Sequence, residues 1–259
     1  MDFSRHTALV TGANRGIGLA LTQALLSAGI QKLYATCRDP ESMPELNDAR
    51  VEVLALDITD AAQIAAIAAR TTDLSLLINN AGIVAAGPFE GTPRAEVVRD
   101  MNTNYYGPID VTRALIPTLR ANASAGHPAA IVNVVSIGAF ANLPVLGGYC
   151  ASKAAALSWS QGLRIELARD HIEVFTVNPG PIDTDMTASS DGPKTAPAEA
   201  ANNTLTALQR GELDIFPDPA SQYMISVFKD NYRGLEALFS EMNQQLTEPR
   251  VEADLIAAS

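Results

Sequence analysis

A tyrosine and a lysine stand four positions apart, at Tyr149 and Lys153, where a helix is predicted. Residues at this spacing lie on one face of a helix, so the lysine ammonium group can act on the tyrosine phenol. A free tyrosine has a pKa of about 10, and a nearby positive charge lowers that value by stabilising the phenolate. The pair therefore predicts proton transfer near neutral pH. For this pair alone, a Tyr and a Lys merely packed on a helix surface are the alternative.

A glycine-rich segment runs from Thr11 to Gly18 and reads Thr-Gly-Ala-Asn-Arg-Gly-Ile-Gly. Glycine permits a sharp turn and lets a phosphate approach bare backbone, and the helix that follows presents unpaired N–H groups at its positive end. The spacing of Gly12, Gly16 and Gly18 differs from both the G-x-G-x-x-G fingerprint and the P-loop. It predicts a phosphate-binding turn, with a plain tight turn as the alternative.

Short apolar or β-branched runs alternate along the chain with longer stretches of helical periodicity. The predicted strands are 7–10, 32–36, 51–56, 74–78, 130–135 and 173–177, and the predicted helices between them include 17–28, 60–70 and 152–170. Such alternation forms βαβ units, and strands that are apolar on both faces are covered by helices on both sides. The sequence therefore predicts an α/β fold, a single doubly wound domain over residues 1–259 with a mostly parallel sheet. Asn79–Gly82 follows the fourth predicted strand, and Ser136 follows the fifth.

The chain changes character after Val177, where prolines, glycines and small polar residues predominate. A long irregular stretch inside a compact domain is usually functional or disordered, so residues 182–210 are predicted to include a substrate-binding loop or lid. A helix is predicted from Ala198 to Arg210, a short edge strand over 212–216, and a mainly helical stretch over 219–246. Residues 217–259 are therefore expected to form a C-terminal helical extension.

Acidic side chains exceed basic ones, with 29 Asp and Glu against 18 Lys and Arg and a net charge of −11. This balance argues against binding to nucleic acid or to an anionic membrane, and most of the excess lies after residue 181. Two cysteines, Cys37 and Cys150, are too few for a disulfide framework, and no long uncharged apolar run occurs, so a cytoplasmic protein is expected. The three histidines lack ligand spacing, so no metal site is expected.

Seven motifs in one order resemble the short form of the short-chain dehydrogenase/reductase family. They are the Thr11–Gly18 turn, Asp57 after the third strand, Asn79–Gly82, Asn104 in MNTNYYG, Ser136 in NVVS, YCASK at 149–153 and NPGPIDT at 178–184. The resemblance covers about residues 5–185 and implies a Rossmann fold and an oxidoreductase.

The resemblance also implies roles for four catalytic residues. Ser136 would hold and polarise a substrate carbonyl, and Tyr149 would pass the proton. Lys153 would lower the pKa of the tyrosine and bind the nicotinamide ribose, while Asn104 would hold a water that links Lys153 to solvent. General acid catalysis of this kind protonates the carbonyl oxygen as the hydride reaches carbon.

A larger set is implied to bind the cofactor. Asp57 is expected to cap the adenine amino group, and Ile182 and Thr184 are expected to contact the carboxamide. The full set is Gly12, Asn14, Arg15, Gly16, Ile17, Gly18, Arg38, Asp57, Ile58, Asn80, Ala81, Gly82, Tyr149, Lys153, Pro179, Gly180, Ile182 and Thr184.

Charge at the end of the second strand predicts NADP(H) as the cofactor. Members that bind NAD usually place an acid there, which accepts hydrogen bonds from the ribose 2′-hydroxyl and repels a 2′-phosphate. This chain has Cys37 at that position, followed by Arg38, and Arg15 stands in the glycine turn as a second cation. Guanidinium groups suit a phosphate because they donate two hydrogen bonds and keep their charge. The alternative is that Arg38 pairs with Asp39 or neighbouring acids.

The loops expected around the nicotinamide are mostly apolar, which favours a small hydrophobic carbonyl or alcohol substrate. Their residues are Ile83, Val84, Ala85, Ala139, Phe140, Val145, Leu146, Pro181 and Met186. NADPH-dependent reduction of a ketone or aldehyde is therefore predicted. A nicotinamide-sensing regulatory protein on the same fold and an NAD-dependent alcohol or hydroxysteroid-type dehydrogenase are the alternatives. A homodimer through the helices that start near Asn104 and Tyr149 is expected, with a tetramer as the alternative.

Overall fold

The computed structural model describes residues 1–88 and 90–247, and within them seven parallel strands form one sheet. The strands are β1 (Thr7–Thr11), β2 (Lys32–Cys37), β3 (Val51–Ala55), β4 (Leu76–Asn79), β5 (Ala129–Val134), β6 (Ile172–Val177) and β7 (Asp214–Ile215). Their order across the sheet is β3-β2-β1-β4-β5-β6-β7. The six strands predicted from apolar runs are confirmed with ends shifted by two residues or fewer, and the short edge strand is β7.

Helices connect the strands and cover the sheet. They are α1 (Gly16–Ser27), α2 (Ala61–Arg70), α3 (Arg94–Met101), α4 (Gly107–Ser124), α5 (Gly147–Leu167), α6 (Pro197–Arg210), α7 (Pro219–Asp230) and α8 (Tyr232–Thr247). Among the described residues, no helix combines the length and the apolarity that a membrane crossing requires.

Two helix boundaries differ from the prediction. α5 begins at Gly147, five residues before the predicted start at Ser152, because two glycines at its beginning weaken the helical signal. The mainly helical stretch predicted over 219–246 is two helices, since Asn231 adopts an extended backbone with φ of −147° and ψ of 112°. The N-terminus of α7 is fixed by a capping box in which the carboxylate of Asp218 accepts from the N–H of Ser221.

The sheet is buried between two layers of helices, as its continuously apolar strands require. On one face, α1 and α6 pack against the strands, with Leu21, Leu25, Leu205 and Leu208 in the core. On the other face, α2, α4 and α5 supply residues that include Ile64, Leu115, Leu119, Leu163 and Leu167. The predicted doubly wound α/β domain is therefore confirmed.

A third apolar cluster joins the C-terminal helices to the body of the domain. Met224 and Ile225 of α7, and Leu235 and Phe239 of α8, pack with residues from the segment that follows β5. That segment contributes Ile137, Leu143 and Cys150 as buried members, with Phe140, Val145, Leu146 and Tyr149 packed around them. The part of the extension up to residue 247 therefore covers the end of the domain where Tyr149 lies, while residues 248–259 fall outside the described residues.

The strand order reverses direction between β1 and β4, which creates a crevice at the carboxyl ends of these strands. Chain connections leave β1 toward β2 on one side and β4 toward β5 on the other. Ligands of open α/β sheets bind in such a crevice. The turn at 11–18, the Asn79–Gly82 segment and Ser136 all follow strands at this edge.

The opposite edge of the sheet contains a buried histidine that joins two strands. Nδ1 of His6 lies 3.1 Å from Oγ of Ser75, and the same hydroxyl accepts from the N–H of Thr7 at 3.1 Å. His6 is 1% exposed, and burial lowers its pKa to about 4. A neutral imidazole at this position stabilises the start of β1 against the segment before β4.

Acidification is expected to destabilise the protein through His6. The imidazole titrates near 6.5 when unfolded and at about 4 when folded, so between these values the unfolded chain binds the additional proton. Stability from this group is therefore present above pH 6.5 and is lost as pH falls toward 4. Between pH 7 and pH 5, wild type should lose about 2 kcal/mol more free energy of unfolding than His6→Asn.

Urea denaturation at the two pH values measures this difference. The matched control is His127→Asn, because His127 is exposed; it should keep the wild-type pH dependence. Equal pH dependence in wild type and His6→Asn would contradict the assignment.

Candidate active site

The turn between β1 and α1 depends on glycine at three positions. Gly12 and Gly16 have φ of 65° and 56°, in the left-handed region that side chains disfavour. Gly18 lies in the first turn of α1, where a Cβ would collide with the carbonyl oxygen of Gly12 and the side-chain amide of Asn80. Arg15 is the N-cap residue of α1, and its side chain does not cap the first N–H groups of the helix. These groups are therefore available to an anion.

Hydrogen bonds from Thr11 and Asn80 join the ends of β1 and β4. The hydroxyl of Thr11 accepts from the N–H of Asn80 at 2.9 Å and from that of Ala81 at 3.0 Å. In return, Nδ2 of Asn80 donates to the carbonyl oxygens of Thr11 at 2.9 Å and Gly12 at 3.1 Å. The two strand ends are therefore fixed to each other directly beneath the glycine turn.

The end of β2 is next to the same turn. Nδ2 of Asn14 donates to Oγ of Ser42 at 3.0 Å, which ties the loop after β2 to the glycine turn. Cys37 is buried and its thiol donates to the carbonyl of Asp39. Arg38 is exposed, and within residues 1–88 and 90–247 it forms no ion pair. The alternative pairing of Arg38 with Asp39 is therefore not observed.

Arg15 makes an ion pair that the sequence does not predict. Its guanidinium lies 3.1 Å from a carboxylate oxygen of Asp185, and both side chains are mostly exposed. Thr184, the residue before, lies over Gly16, since a Cβ on that glycine would be 3.2 Å from its methyl group. The loop after β6 therefore contacts the glycine turn across the crevice.

The Pro179–Gly180 turn is held in place by the C-terminal extension. The N–H of Gly180 donates to a carboxylate oxygen of Asp218 at 2.8 Å, and Asp218 is fully buried at the start of α7. Ile182 forms a parallel bridge with Thr195 and is 2% exposed. Loop 179–184 is thereby fixed at both ends, and no sequence motif indicated the part played by Asp218.

Ser136 and Tyr149 approach each other at the end of β5. The Ser136 hydroxyl accepts from the N–H of Gly138 at 3.1 Å, at the start of a short 3₁₀ turn. Tyr149 lies in the first turn of α5, where burial raises its pKa and a hydrogen bond with Ser136 opposes that rise. Gly138 is a close neighbour of both elements, because a Cβ there would be 3.1 Å from Sγ of Cys150 and 3.4 Å from Oγ of Ser136. The two hydroxyl groups can therefore act on one substrate oxygen.

Lys153 lies below Tyr149 in the interior. It is 5% exposed, and its ammonium donates to the carbonyl of Val134 at 2.9 Å. The Nζ atom is 5.7 Å from the centre of the Tyr149 ring. The predicted placement of both side chains on one helix face, within reach of each other, is thus observed.

Burial shifts the pKa values of this pair in opposite directions. Desolvation raises the pKa of Tyr149 to about 12, and it lowers the pKa of Lys153 to about 8. The sequence predicts a lowered pKa for Tyr149. In the structure, the protein groups alone shift this pKa upward. Desolvation of the phenolate outweighs the stabilisation that its neighbours supply. The phenol of Tyr149 is therefore protonated at neutral pH.

Asn104 lies in a π-helical turn, residues 102–106, between α3 and α4. Its Oδ1 accepts from the N–H of Ile83 at 2.9 Å, and its Nδ2 donates to the Ile83 carbonyl at 2.9 Å and to Oγ of Ser152 at 3.0 Å. A Cβ on Gly82 would be 3.1 Å from Oδ1 of Asn104 and 3.5 Å from Nζ of Lys153. π-turns of this kind are frequent at functional sites, and the sequence pattern did not predict this one.

Asp57 and Ile58 lie at the same edge of the sheet, after β3. Oδ1 of Asp57 accepts from the N–H and the hydroxyl of Thr59 at 2.9 and 2.7 Å. Ile58 is 5% exposed and packs against Gly107 at the start of α4. Among the described residues, no cluster of three or more His, Cys, Asp or Glu side chains could hold a metal ion.

Comparison with known proteins places this geometry in a family. A family model described as short chain dehydrogenase matches residues 6–194. A 3-ketodihydrosphingosine reductase from Bacteroides thetaiotaomicron is 34% identical over 69% of this chain, which spans 65% of that relative. A 1-deoxy-11-beta-hydroxypentalenate dehydrogenase from Streptomyces avermitilis is 30% identical, with 91% of this chain and 93% of the relative covered.

A solved structure of a short chain dehydrogenase from Burkholderia cenocepacia in complex with NADP is similar over nearly the whole chain. The two share 36% identity and superpose with a TM-score of 0.85, over 96% of this chain and 100% of that one. The family match, the full-length fold and the arrangement of motifs agree. The chain therefore belongs to the short-chain dehydrogenase/reductase family of oxidoreductases, which act with a nicotinamide cofactor.

Proposed function

We propose that this protein uses NADPH to reduce a hydrophobic ketone or aldehyde to the corresponding alcohol. The observation that carries the proposal is the pair of hydroxyl groups of Ser136 and Tyr149, at the same edge of the sheet as a glycine turn whose uncapped helix N-terminus suits an anion. A protonated phenol and a serine hydroxyl are suited to a carbonyl oxygen that becomes an alcohol. Two similar proteins support this class of reaction: one is a 3-ketodihydrosphingosine reductase, and the other is a 1-deoxy-11-beta-hydroxypentalenate dehydrogenase.

The residues present fit a dinucleotide. Gly18 lets α1 start close to the turn, since a Cβ there would meet the carbonyl oxygen of Gly12, and no side chain caps the first N–H groups of α1. A pyrophosphate can therefore bind at this N-terminus. When bound, the nicotinamide cofactor supplies the hydride. We assign its adenine side to Asp57, Ile58 and Asn80, and its remaining contacts to the glycine turn, Ala81, Gly82 and loop 179–184.

The preference for NADP(H) is argued from charge. Arg38 is exposed and without an ion pair in the described part of the chain, directly after the buried Cys37 that stands where an acid would select NAD(H). Arg15 pairs with Asp185, and exposed pairs of this kind contribute about 0–1 kcal/mol. A 2′-phosphate, with nearly two negative charges, can displace that carboxylate. Arg15 and Arg38 would then both be able to hold the 2′-phosphate.

Proton transfer is assigned to the residues around Tyr149. Ser136 holds the carbonyl oxygen, and the phenol of Tyr149 donates its proton to that oxygen as the alcohol forms. Lys153 has its pKa lowered to about 8 and still carries a charge at pH 7, so it stabilises the phenolate that remains. Asn104 forms hydrogen bonds with Ile83 and Ser152, and Gly82 is a close neighbour of both Asn104 and Lys153. We assign to Asn104 the water through which Tyr149 regains its proton.

The substrate class is argued from the apolar residues that surround Tyr149. Phe140 is in ring contact with Phe216 and Phe228, at centroid distances of 5.8 and 5.5 Å, and this group lies against the segment that leads to Tyr149. Such surroundings favour a hydrocarbon group and disfavour a sugar phosphate. We include the irregular part of residues 182–210, up to Thr195, in the substrate loop. The helix α6 that follows packs on α1 in the core.

A cofactor-sensing regulatory protein on this fold is the second candidate. It would bind NADPH without turnover and would not need a proton donor. The presence of Ser136, Tyr149, Lys153 and Asn104 together in one place favours the enzyme.

Replacing Tyr149 with Phe separates the two candidates. NADPH oxidation with a ketone that wild type reduces should fall about 10²- to 10⁴-fold, because the proton donor is lost. NADPH affinity, measured by fluorescence titration, should stay within about threefold of wild type because the hydroxyl supplies a small part of the binding surface. The readout of turnover is the loss of NADPH absorbance over a panel of ketones and aldehydes.

Tyr223→Phe is the matched control, since Tyr223 is exposed on α7, and it should retain wild-type turnover. Wild-type rates in Tyr149→Phe would refute the proton-donor role. Tight NADPH binding with no turnover on any member of the panel would favour the sensor.

Replacing Arg38 with Leu tests the cofactor preference. The NADPH dissociation constant should rise about 10- to 100-fold, as expected for the loss of a charge-assisted hydrogen bond to a phosphate. The NADH dissociation constant should change less than about twofold because NADH lacks the 2′-phosphate. Both constants are measured by fluorescence titration at one ionic strength.

The control is Arg113→Leu, an arginine on α4 whose side chain is 77% exposed, which should leave both constants unchanged. The preference is refuted if wild type binds NADH more tightly than NADPH. An equal loss for both cofactors in Arg38→Leu would also refute it.

A further inference from the structure

Asp100 is a fully buried carboxylate near Tyr149 that has no place in the proposed reaction so far. It lies in the last turn of α3 and is 0% exposed. Its two oxygens accept from the N–H of Ala85, at 3.1 and 3.3 Å. An ionisable group is rarely buried without a partner, so its position requires an explanation.

Asp100 is one of three anchors of the loop after β4. Ile83 is held by Asn104, Ala85 by Asp100, and the N–H of Gly87 donates to the carbonyl of Val145 at 2.8 Å. The three anchored residues alternate along the chain, so the loop is bound in the manner of an extended strand.

The spacing of the two side-chain anchors matches the spacing of the residues they hold. Four residues along a helix advance about 6 Å, and two residues along an extended segment advance about 6.6 Å. Asp100 and Asn104 are four apart, and their partners Ile83 and Ala85 are two apart. The same segment of helix therefore positions both residues of the loop.

Asp100 also contacts the start of α5. A Cβ on Gly148 would be 3.2 Å from Oδ2 of Asp100, so the carboxylate lies against the residue directly before Tyr149. The loop that holds Ala85 and the turn that holds Tyr149 thus meet at one side chain. A change at Asp100 would therefore affect the position of both.

Charged and titratable groups face Asp100 from two helices. Burial raises the pKa of Asp100, and the hydrogen bond from Ala85 lowers it. On α3 itself, Arg99 lowers this pKa and Glu96 raises it. From α5, the positive charge of Lys153 lowers the pKa of Asp100, and the negative charge of Asp100 raises the pKa of both Lys153 and Tyr149. Cys150 also raises the pKa of Tyr149.

We infer that Asp100 is a positioning residue for the reaction: it fixes Ala85 against the start of α5 and places one negative charge near the Tyr149–Lys153 pair. This inference rests on the proposed function, in which Tyr149 donates a proton to a substrate that lies against the 83–87 loop. Asp100 acts through these neighbours and does not itself touch the substrate.

Two substitutions separate its hydrogen bond from its charge. Asp100→Asn keeps an oxygen that can accept from Ala85 and removes the charge. Asp100→Leu has a similar volume and removes both. Asp110→Asn is the matched control, because Asp110 is exposed on α4 and pairs only loosely with Arg113, at 4.0 Å.

Hydrogen exchange of the backbone amides in a peptide covering 83–88 reports the position of the loop without any need for turnover. We expect exchange at Ala85 to accelerate about tenfold or more in Asp100→Leu, and to stay within about threefold of wild type in Asp100→Asn and Asp110→Asn. With a ketone that wild type reduces, Asp100→Leu should raise KM about tenfold with a smaller change in kcat.

The pH profile reports the charge. Removal of a negative charge favours the phenolate, so the fall in carbonyl reduction at high pH should begin at a pH lower by about 0.5 unit in Asp100→Asn than in wild type or Asp110→Asn. An unshifted profile in Asp100→Asn overturns the inference, and so does wild-type exchange in Asp100→Leu. Thermal unfolding of each variant verifies that it is folded.

Failure of the proposed function has a different signature. In that case wild type would oxidise NADPH with no carbonyl compound of the panel, while the exchange experiment would still show whether Asp100 holds Ala85. Accelerated exchange in Asp100→Leu with rescue in Asp100→Asn would then support the hydrogen bond to Ala85 and overturn the inferred effect of Asp100 on the reaction.

Discussion

The close approach of β1, β4 and α1 at the glycine turn is the constraint on which the rest of the site depends. Gly18 carries no side chain, so the carbonyl of Gly12 and the amide of Asn80 occupy the space that a Cβ would take. The hydrogen bonds between Asn80 and Thr11 then fix the ends of the two strands to each other. The turn, the crevice and the loop that follows β4 all take their positions from this joint.

Burial is the second influence on the chemistry, because it sets the protonation states of the central pair. A phenol that is withdrawn from water resists ionisation, and an ammonium group in the same surroundings loses its proton more readily. Tyr149 and Lys153 show these two shifts at neighbouring positions. The same interior contains Asp100, whose negative charge opposes the ionisation of Tyr149 and favours the charged form of Lys153. The site is therefore an electrostatic unit of three groups rather than a pair.

The C-terminal extension is part of the same end of the domain. Asp218 bonds the Gly180 turn, and α7 and α8 pack on the segment that leads to Tyr149. An apolar cover of this kind lowers the exposure of the half-buried Tyr149. The extension therefore contacts two segments that are far apart in the sequence: the Pro179–Gly180 turn and the segment between β5 and Tyr149.

The sequence by itself determined the α/β alternation, all six main strands, the glycine turn and the placement of Tyr149 and Lys153 on one helix face. These features follow from local patterns, since apolar runs, glycine spacing and helical period act over a few residues. Only the tertiary structure decided the contacts of Asp100 and Asp218, the π-turn at Asn104, the pairing of Arg15 with Asp185 and the direction of the pKa shift of Tyr149. Each of these depends on contacts between segments distant in the chain, and on burial, which no local pattern encodes.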